Sequence, residues 1–214
     1  MLRYDDAVLD AVLSWIYPSK CALCGLVGAP AVCESCSNDF ERLPVDPVVA
    51  TNEIISFEVS AFRYEGRGSE AIRRLKYDRA TALAAPLGGI LLQTFEAAGM
   101  ESEVDAIAPV PIHWRRQFER GFNQAELLVE ALPRGMVRKS LLRRKRYTRP
   151  QVGLSVTERR TNLRDAFAAS VQVRGLRILL VDDVITSGST ARACAEALLA
   201  AGAAKVGVLT LAKG

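Results

Sequence analysis

The residues of this chain best suited to chemistry lie within 178–190, where an apolar run ends in two acids and a turn rich in hydroxyl groups. Residues 178–181 predict a buried strand, and Asp182 and Asp183 follow at its carboxyl end. The turn supplies Thr186, Ser187, Gly188, Ser189 and Thr190, and a helix is predicted to begin near its last residue. Ligands of open parallel sheets bind beyond the carboxyl ends of the strands, so we expect a ligand site here.

Each part of this run has a chemical use. Asp182 and Asp183 can accept hydrogen bonds from a sugar diol. The hydroxyl and backbone N–H groups of residues 186–190 can surround a phosphate, and the positive amino-terminal end of the following helix adds to the attraction. A diol together with a phosphate predicts a ribose 5-phosphate ligand.

Three other interpretations of the same run are weaker. A Walker B strand would require a Gly-x-x-x-x-Gly-Lys-Ser/Thr loop, and the sequence contains no Gly-Lys pair. A receiver domain would place its acidic pair after an early strand, whereas Asp182 and Asp183 lie late in the chain. A buried strand with a solvated acidic end accounts for the two acids but not for the hydroxyl and glycine turn that follows them.

Strands alternate with helices along most of the chain, which predicts an α/β fold with a parallel sheet flanked by helices. The predicted strands are 56–64, 104–108, 135–142, 177–181 and 205–211, and the predicted helices are 5–16, 69–77, 80–98, 124–132, 156–168 and 189–201. Residues 39–53 contain Pro44 and Pro47 and predict a linker. We therefore expect a small amino-terminal helix and cysteine module over residues 1–45 and the main domain over 54–214.

A second candidate anion site follows the predicted strand 104–108. We expect residues 109–124 to form a loop, whose candidate contacts to a pyrophosphate are Arg115, Arg116, Arg120 and Gly121. Guanidinium groups match phosphate oxygens in pairs, and glycine lets the backbone approach closely. A solvated basic turn is the alternative. His113 is the only histidine, and since no partner is evident in the sequence we assign it no role.

Four of the five cysteines form two Cys-x2-Cys pairs separated by eight residues: Cys21, Cys24, Cys33 and Cys36. Two such pairs can complete a tetrahedral site of four sulfur ligands, which suits a structural zinc ion. A redox motif is one alternative, which two pairs within 16 residues disfavour, and disulfides are another, which a reducing cytoplasm disfavours. Cys194 lies in an alanine-rich predicted helix and is interpreted as a small buried apolar residue.

Charge is unevenly distributed along the chain. Residues 134–164 hold eleven Lys or Arg and one acid, Glu158, a net charge of +10 against +4 for the whole chain. Such a segment predicts binding of a nucleic acid or a pyrophosphate. Trp114, Phe122 and Tyr147 lie near basic residues and could stack on the bases of a single strand, although packing in the core is the simpler interpretation.

The sequence also bears on location. The amino-terminus is acidic and lacks a long apolar core, which disfavours a secretory signal. The most apolar stretch, 82–92, contains Pro86, Gly88 and Gly89 and is too short to span a bilayer. We therefore expect a cytoplasmic protein without membrane insertion.

Together these motifs resemble the ComF family of competence-related, phosphoribosyltransferase-like proteins over nearly the whole chain. The resemblance rests on the four cysteines, Leu75-Lys76-Tyr77, Pro109-x-Pro111, Arg120-Gly-Phe-Asn-Gln124, Gln151, Arg159-x-x-Asn162, Phe167 and residues 178–190. It implies a type I phosphoribosyltransferase fold that binds phosphoribosyl pyrophosphate (PRPP) or a related phosphoribose together with Mg2+. It also implies a role with single-stranded DNA in natural transformation, with other competence proteins as further partners.

By position, the resemblance implies that Asp182 and Asp183 bind the ribose hydroxyls and that residues 186–190 bind the 5-phosphate. Family members often have Thr-Thr-Gly where this chain has Thr186-Ser187-Gly188, a change that keeps the hydroxyl group. Residues 143–149 would form a basic lid over the ligand. Whether the protein transfers phosphoribose to an acceptor or only binds it stays open, since the chain shows no base-specific pocket.

Overall fold

Four parallel strands form the central sheet of the protein, as seen in a computed structural model that describes residues 18–45, 54–145 and 165–214. The strands are β1 (Phe57–Arg63), β2 (Ala106–Pro109), β5 (Arg177–Ile185) and β6 (Lys205–Lys213), in the spatial order β1-β6-β5-β2. A separate antiparallel pair consists of β3 (Leu142–Arg144) and β4 (Phe167–Ala169). The predicted α/β fold with a parallel sheet is therefore confirmed.

Helices connect the strands and cover the sheet. They are α1 (Glu34–Asn38), α2 (Gly66–Tyr77), α3 (Ala84–Ala97), α4 (Trp114–Arg120), α5 (Gln124–Leu128) and α6 (Ser189–Ala200). Short 3-10 turns at Thr81–Leu83, Met100–Ser102, Val129–Ala131 and Val171–Val173 extend or link them. Within the described ranges, none of these helices has both the length and the apolar character that crossing a membrane requires.

Both faces of the sheet are buried because side chains alternate along its central strands. In β5, Leu179 and Val181 pack with α2 and α3, while Ile178 and Leu180 pack on the opposite side with α6. The run of apolar residues in β5 is thus explained by a parallel strand covered on both faces. Asp182 and Asp183 follow where that cover ends.

The cysteine segment packs against the same core. The rings of Phe40 and Phe62 lie 5.2 Å apart, and Leu43 N–H donates to Ala61 O at 3.0 Å. Arg74 of α2 donates to the carbonyl oxygen of Ala22. The segment is therefore held against β1 and α2. The predicted division of the chain at residues 45 and 54 stays a prediction.

Three sequence predictions differ from the structure. The predicted loop 109–124 contains the helix α4, and of the predicted strand 135–142 only Val137 pairs beside β2 before β3 begins at Leu142. The end of the predicted helix 156–168 lies in the strand β4, because that segment pairs with β3. The rest of that helix, the helix 5–16 and residues 46–53 of the predicted linker lie outside the described residues.

A close approach between β1 and β6 fixes one glycine. Phe57 faces Gly207 across the pair, and a Cβ atom added to Gly207 would lie 2.1 Å from Cζ of the Phe57 ring. Any larger residue at Gly207 must displace this buried ring. Gly89 in the interior of α3 differs, because a Cβ atom there would meet nothing within 4 Å.

We expect Gly207→Ala to lower the free energy of unfolding by about 1–3 kcal/mol, because the ring of Phe57 must move. Gly89→Ala is the matched control and should raise stability by about 0.5–1 kcal/mol, since alanine loses less entropy in a helix. Urea denaturation of both variants measures these changes. A Gly207→Ala protein as stable as the wild type would contradict the close contact.

Candidate functional site

The two aspartates at the end of β5 have different surroundings. Asp183 is buried and forms an ion pair with Lys76 of α2, whose Nζ lies 2.9 Å from Oδ1 of Asp183. Asp182 is half-buried and accepts a hydrogen bond from the backbone N–H of Asp183 at 2.9 Å. The negative charge of Asp182 acts to raise the pKa of Arg144 in β3 and that of Cys194 in α6. The strand thus presents one carboxylate toward α2 and the other toward β3 and α6.

Lys76 is the buried cation of this site. Burial acts to lower its pKa, but the attraction of Asp183, followed by that of Asp182, outweighs burial and raises the pKa. Lys76 therefore stays protonated and balances one of the two carboxylates. In the sequence, Lys76 stands out only as part of the family motif Leu75-Lys76-Tyr77, which gives it no site role. A single lysine between Leu75 and Tyr77 near the end of an amphipathic helix carried no stronger indication.

Asp182 is the group that titrates near neutrality. Burial raises its pKa to about 7, and the negative charge of Asp183 acts in the same direction. The positive charge of Lys76 and the backbone N–H of Asp183 act against this rise, as does the charge of Arg144. Asp182 can therefore exchange a proton, a metal ion or a ligand hydroxyl within the physiological pH range.

The hydroxyl turn forms a small cup next to Asp182. Its cavity of about 60 Å3 is lined by Asp182, Val184, Ile185, Thr186, Ser187, Gly188, Ser189, Thr190, Ala191 and Thr210. Gly188 adopts a left-handed conformation with φ of 66°, which favours glycine, and α6 begins at the next residue. The hydroxyl oxygens of Ser187 and Ser189 lie 2.9 Å apart. The turn therefore brings all five predicted phosphate contacts to the amino-terminal end of a 12-residue helix.

The predicted pyrophosphate contacts lie on or beside α4. His113 is buried and caps this helix, since its Nδ1 accepts the backbone N–H of Arg115 at 3.2 Å. Arg120 lies over the ring of Tyr77, 5.3 Å from its centre, and donates to Gln124 Oε1 at 3.0 Å. Gly121 ends the helix with φ of 87°.

The arginines of α4 do not share one environment. Arg115 is exposed, and Arg116 and Arg120 are half-buried. The charge of Arg116 acts on Arg144, whereas Arg120 faces Tyr77 and Gln124. Arg120 therefore lies on the side of α2, whereas the charge of Arg116 contributes to lowering the pKa of Arg144. Arg115 is linked to His113, because its backbone N–H donates a hydrogen bond to Nδ1 of that ring.

Arg144 joins the site from β3. Burial and the charge of Arg116 lower its pKa, while the charges of Cys194 and Asp182 act against this change. Its guanidinium lies over the ring of Phe167, 5.2 Å from the centre. Arg144 belongs to the basic segment predicted as a lid, and the described structure places it in a strand beside the acidic site. Residues 146–149 of that segment lie outside the described residues.

A larger cavity of about 790 Å3 lies between β4 and α6. Its walls are mostly alanine, and its charged residues Arg192 and Glu196 pair with each other at 3.0 Å. Lys145 and Asp165, which border the range 146–164, also line it. This cavity offers no arrangement for a phosphate and a diol, so the carboxyl end of β5 is the better candidate site.

The four cysteines of the amino-terminal segment come together. The sulfur atoms of Cys21, Cys24, Cys33 and Cys36 all lie within 4.8 Å of one another. Tetrahedral zinc with Zn–S bonds of about 2.3 Å needs sulfur atoms about 3.8 Å apart, and the sulfur atoms of Cys24 and Cys33 are 3.7 Å apart. Backbone N–H groups of Leu23 and Cys33 donate to the sulfur of Cys21 at 3.5 and 3.4 Å. This cluster could hold a metal ion such as zinc.

We expect the carboxyl group of Asp182 to titrate near pH 7 and to do so at still higher pH in Lys76→Met, which removes a nearby positive charge. Carbon-13 NMR of aspartate-labelled protein between pH 4 and 9 measures both values. Asp105 is an internal control, because its hydrogen bonds to Arg177 lower its pKa to about 2 and keep it ionised throughout. A wild-type Asp182 that titrates below pH 5 would contradict its raised pKa.

Comparison with known proteins agrees with these features. The phosphoribosyl transferase domain family matches residues 119–214. DNA utilization protein YhgH of Salmonella typhi is 37% identical over 161 residues, which cover 72% of this chain and 71% of the relative. Competence protein F of Haemophilus influenzae is 40% identical over 115 residues, covering 51% and 50%. Competence protein ComFC of Bacillus subtilis is 26% identical over 223 residues, covering 99% and 86%.

Among solved structures, the glutamine PRPP amidotransferase of Bacillus subtilis complexed with ADP and GMP is 26% identical, with a TM-score of 0.43. That match covers 65% of this chain and 30% of the amidotransferase chain. The sequence relatives confirm the resemblance predicted from the motifs. The chain belongs to the ComF/YhgH family, and its carboxyl-terminal part is a phosphoribosyltransferase-like domain.

Proposed function

We propose that this protein binds PRPP or a related phosphoribose at the carboxyl end of β5 and acts on single-stranded DNA in its uptake and use. The observation that carries the first part is the meeting of Asp182, the hydroxyl turn and the Lys76–Asp183 ion pair at the carboxyl end of β5. The names of the relatives, DNA utilization protein and competence proteins, support the second part.

In this proposal each end of the ligand has its own partner. The 5-phosphate lies in the cup of residues 186–190, where backbone N–H groups and hydroxyls donate to it. The ribose hydroxyls donate to Asp182 and Asp183, and Lys76 pairs with Asp183 at 2.9 Å. The pyrophosphate lies toward Arg116 and Arg144, whose mutual repulsion a bound anion would relieve.

The donor set at the end of β5 fits Mg2+. This ion is commonly held by one or two carboxylates together with substrate phosphates, and Asp182 supplies a carboxylate that Lys76 does not contact directly. When bound, Mg2+ would neutralise charge on the pyrophosphate. The residues of the chain itself would bind the 5-phosphate, orient the ribose and determine whether Asp182 is protonated.

Transfer of phosphoribose to an unidentified acceptor is the alternative function. The bond from ribose C1 to pyrophosphate would break, the acceptor would bond to C1 and lose a proton, and pyrophosphate would leave with the electron pair. The positive charges of Arg116 and Arg144 favour this alternative, because they would stabilise a leaving pyrophosphate. Pyrophosphate release from PRPP, with water or added acceptors, would distinguish an enzyme from a binding protein.

We expect calorimetric titration with PRPP and Mg2+ to show saturable binding, and Asp182→Asn to weaken it about tenfold or more through loss of a charged acceptor. Affinity should rise as the pH increases from 6 to 8, because Asp182 then loses its proton. The asparagine variant should lack this part of the pH dependence and keep only that of the ligand phosphates.

Asp105→Asn makes the same chemical change beside the first residue of β5, where Asp105 pairs with Arg177 at 2.7 Å. This control should bind PRPP as the wild type does. Folded wild-type protein that shows no saturable PRPP binding at pH 8 would overturn the first part of the proposal. Equal affinities of Asp182→Asn and the wild type would overturn the assignment of Asp182.

We further propose that the four-cysteine cluster holds a structural zinc ion. The sulfur spacing and the N–H groups donating to Cys21 support this assignment. Three of the cysteines are buried against Phe40 and the neighbouring core, so the ion would stabilise the segment that packs on β1. Cys24 is exposed, which gives a chelator access to the site.

Metal analysis of purified protein should find one zinc ion per chain, and Cys36→Ser should lose it together with thermal stability because a ligand is missing. Cys194→Ser is the control for removal of a buried cysteine and should keep the zinc. Wild-type protein that contains no zinc, or that carries the visible absorption of an iron–sulfur cluster, would refute the assignment.

A further inference from the structure

The exposed aromatic residues of the described chain lie on α4 and at the end of α2. Trp114 and Phe118 of α4 are 69% and 86% exposed, and Tyr77 at the end of α2 is 65% exposed. The other large hydrophobic side chains that are strongly exposed in the described ranges, Leu26, Val27 and Val171, are aliphatic. Trp114 and Phe118 are four residues apart, so they lie on the same face of their helix. Neighbouring large apolar side chains with this degree of exposure indicate an interaction site.

The charge around these rings is positive. Helix α4 carries Arg115, Arg116 and Arg120 against the single acid Glu119. Arg120 links the two helices by lying over the ring of Tyr77. Arg79 adds a further positive charge, since it donates to the carbonyl oxygen of Glu119 at 2.9 Å. Acids of the neighbouring elements, Asp78 and Glu126, lie beside this surface but do not outnumber its arginines.

The aromatic surface is continuous with the proposed phosphoribose site. Val110, just after β2, donates its N–H to Val181 O at 2.8 Å, directly before Asp182. The chain then enters α4 within four residues. The charge of Arg116 acts to lower the pKa of Arg144, which links the helix with the exposed rings electrostatically to the acidic site. An extended anionic ligand could therefore contact both regions.

We propose that Trp114 and Phe118 form a stacking surface for the bases of single-stranded DNA, while Arg115 and the other arginines of α4 contact its phosphates. This inference rests on the proposed function and adds the surface that recognises the strand. Aromatic rings stack on any base, and neighbouring arginines follow the phosphate backbone, so the combination suits a strand without sequence preference. A protein partner would not require the excess of arginines.

The native chain offers an intrinsic probe, because it contains only two tryptophans, Trp15 and Trp114. In a Trp15→Phe variant the emission reports on Trp114 alone. Titration with a fifteen-residue oligothymidine should quench this emission as bases stack. An abasic oligomer of the same length and charge should bind about tenfold more weakly or worse, because only its phosphates contact the protein.

The double variant Trp114→Ala/Phe118→Ala should bind oligothymidine about tenfold more weakly or worse, measured by fluorescence anisotropy at fixed salt. Its affinity for the abasic oligomer and for PRPP should stay at the wild-type value, which shows that the fold is intact. Leu26→Ala/Val27→Ala removes two exposed aliphatic side chains and serves as the matched control, with unchanged DNA binding.

Three results would overturn the inference, and they separate it from the proposed function. Equal binding of oligothymidine by the double variant and the wild type would refute the stacking surface alone. Self-association that is lost in the double variant while DNA binding is unchanged would assign the rings to a protein contact. Wild-type protein that binds PRPP but no single-stranded DNA would remove both the DNA role and this surface.

Discussion

The ion pair between Lys76 and Asp183 is the interaction on which the candidate site depends. Adjacent aspartates at the end of a buried strand repel each other and lose hydration. Lys76 balances the charge of Asp183, with Nζ and Oδ1 2.9 Å apart, while burial raises the pKa of Asp182 to about 7. Removing one partner of a buried pair costs about 3–5 kcal/mol. The pair therefore fixes the end of α2 to the end of β5 and sets the protonation of the remaining carboxylate.

This pair joins distant parts of the chain. Because β6 lies between β1 and β5, the helix that follows β1 comes to rest beside the acids that end β5. The phosphoribosyl transferase match begins at residue 119 and so includes both aspartates and the hydroxyl turn, but not Lys76. The amino-terminal half thus supplies the counter-charge of the carboxyl-terminal site. It also covers one edge of β6 with β1, through a contact so close that only glycine fits at Gly207.

The sequence predicted what local patterns determine and missed what distant contacts determine. The hydroxyl turn and the four-cysteine cluster follow from fixed spacings and appear where expected, whereas β5 begins at Arg177 as predicted but continues through both aspartates to Ile185 instead of ending at Val181. Helix α4 was missed because its cap is His113, outside the usual capping residues. Strand β4 exists only through its pairing with β3. Lys76 was missed as a site residue because its significance depends on Asp183, which is distant in sequence, and Arg144 was predicted only as part of a basic lid.

Helix α4 links the two halves of the proposed function through one buried group. Burial, followed by the charges of Arg144, Arg116 and Arg115, lowers the pKa of His113. The neutral ring can therefore accept the N–H of Arg115 and cap the helix. A protonated His113 would lose this acceptor and add another positive charge to the cluster. An anion bound among these arginines and a strand stacked on Trp114 would thus contact the same seven-residue helix.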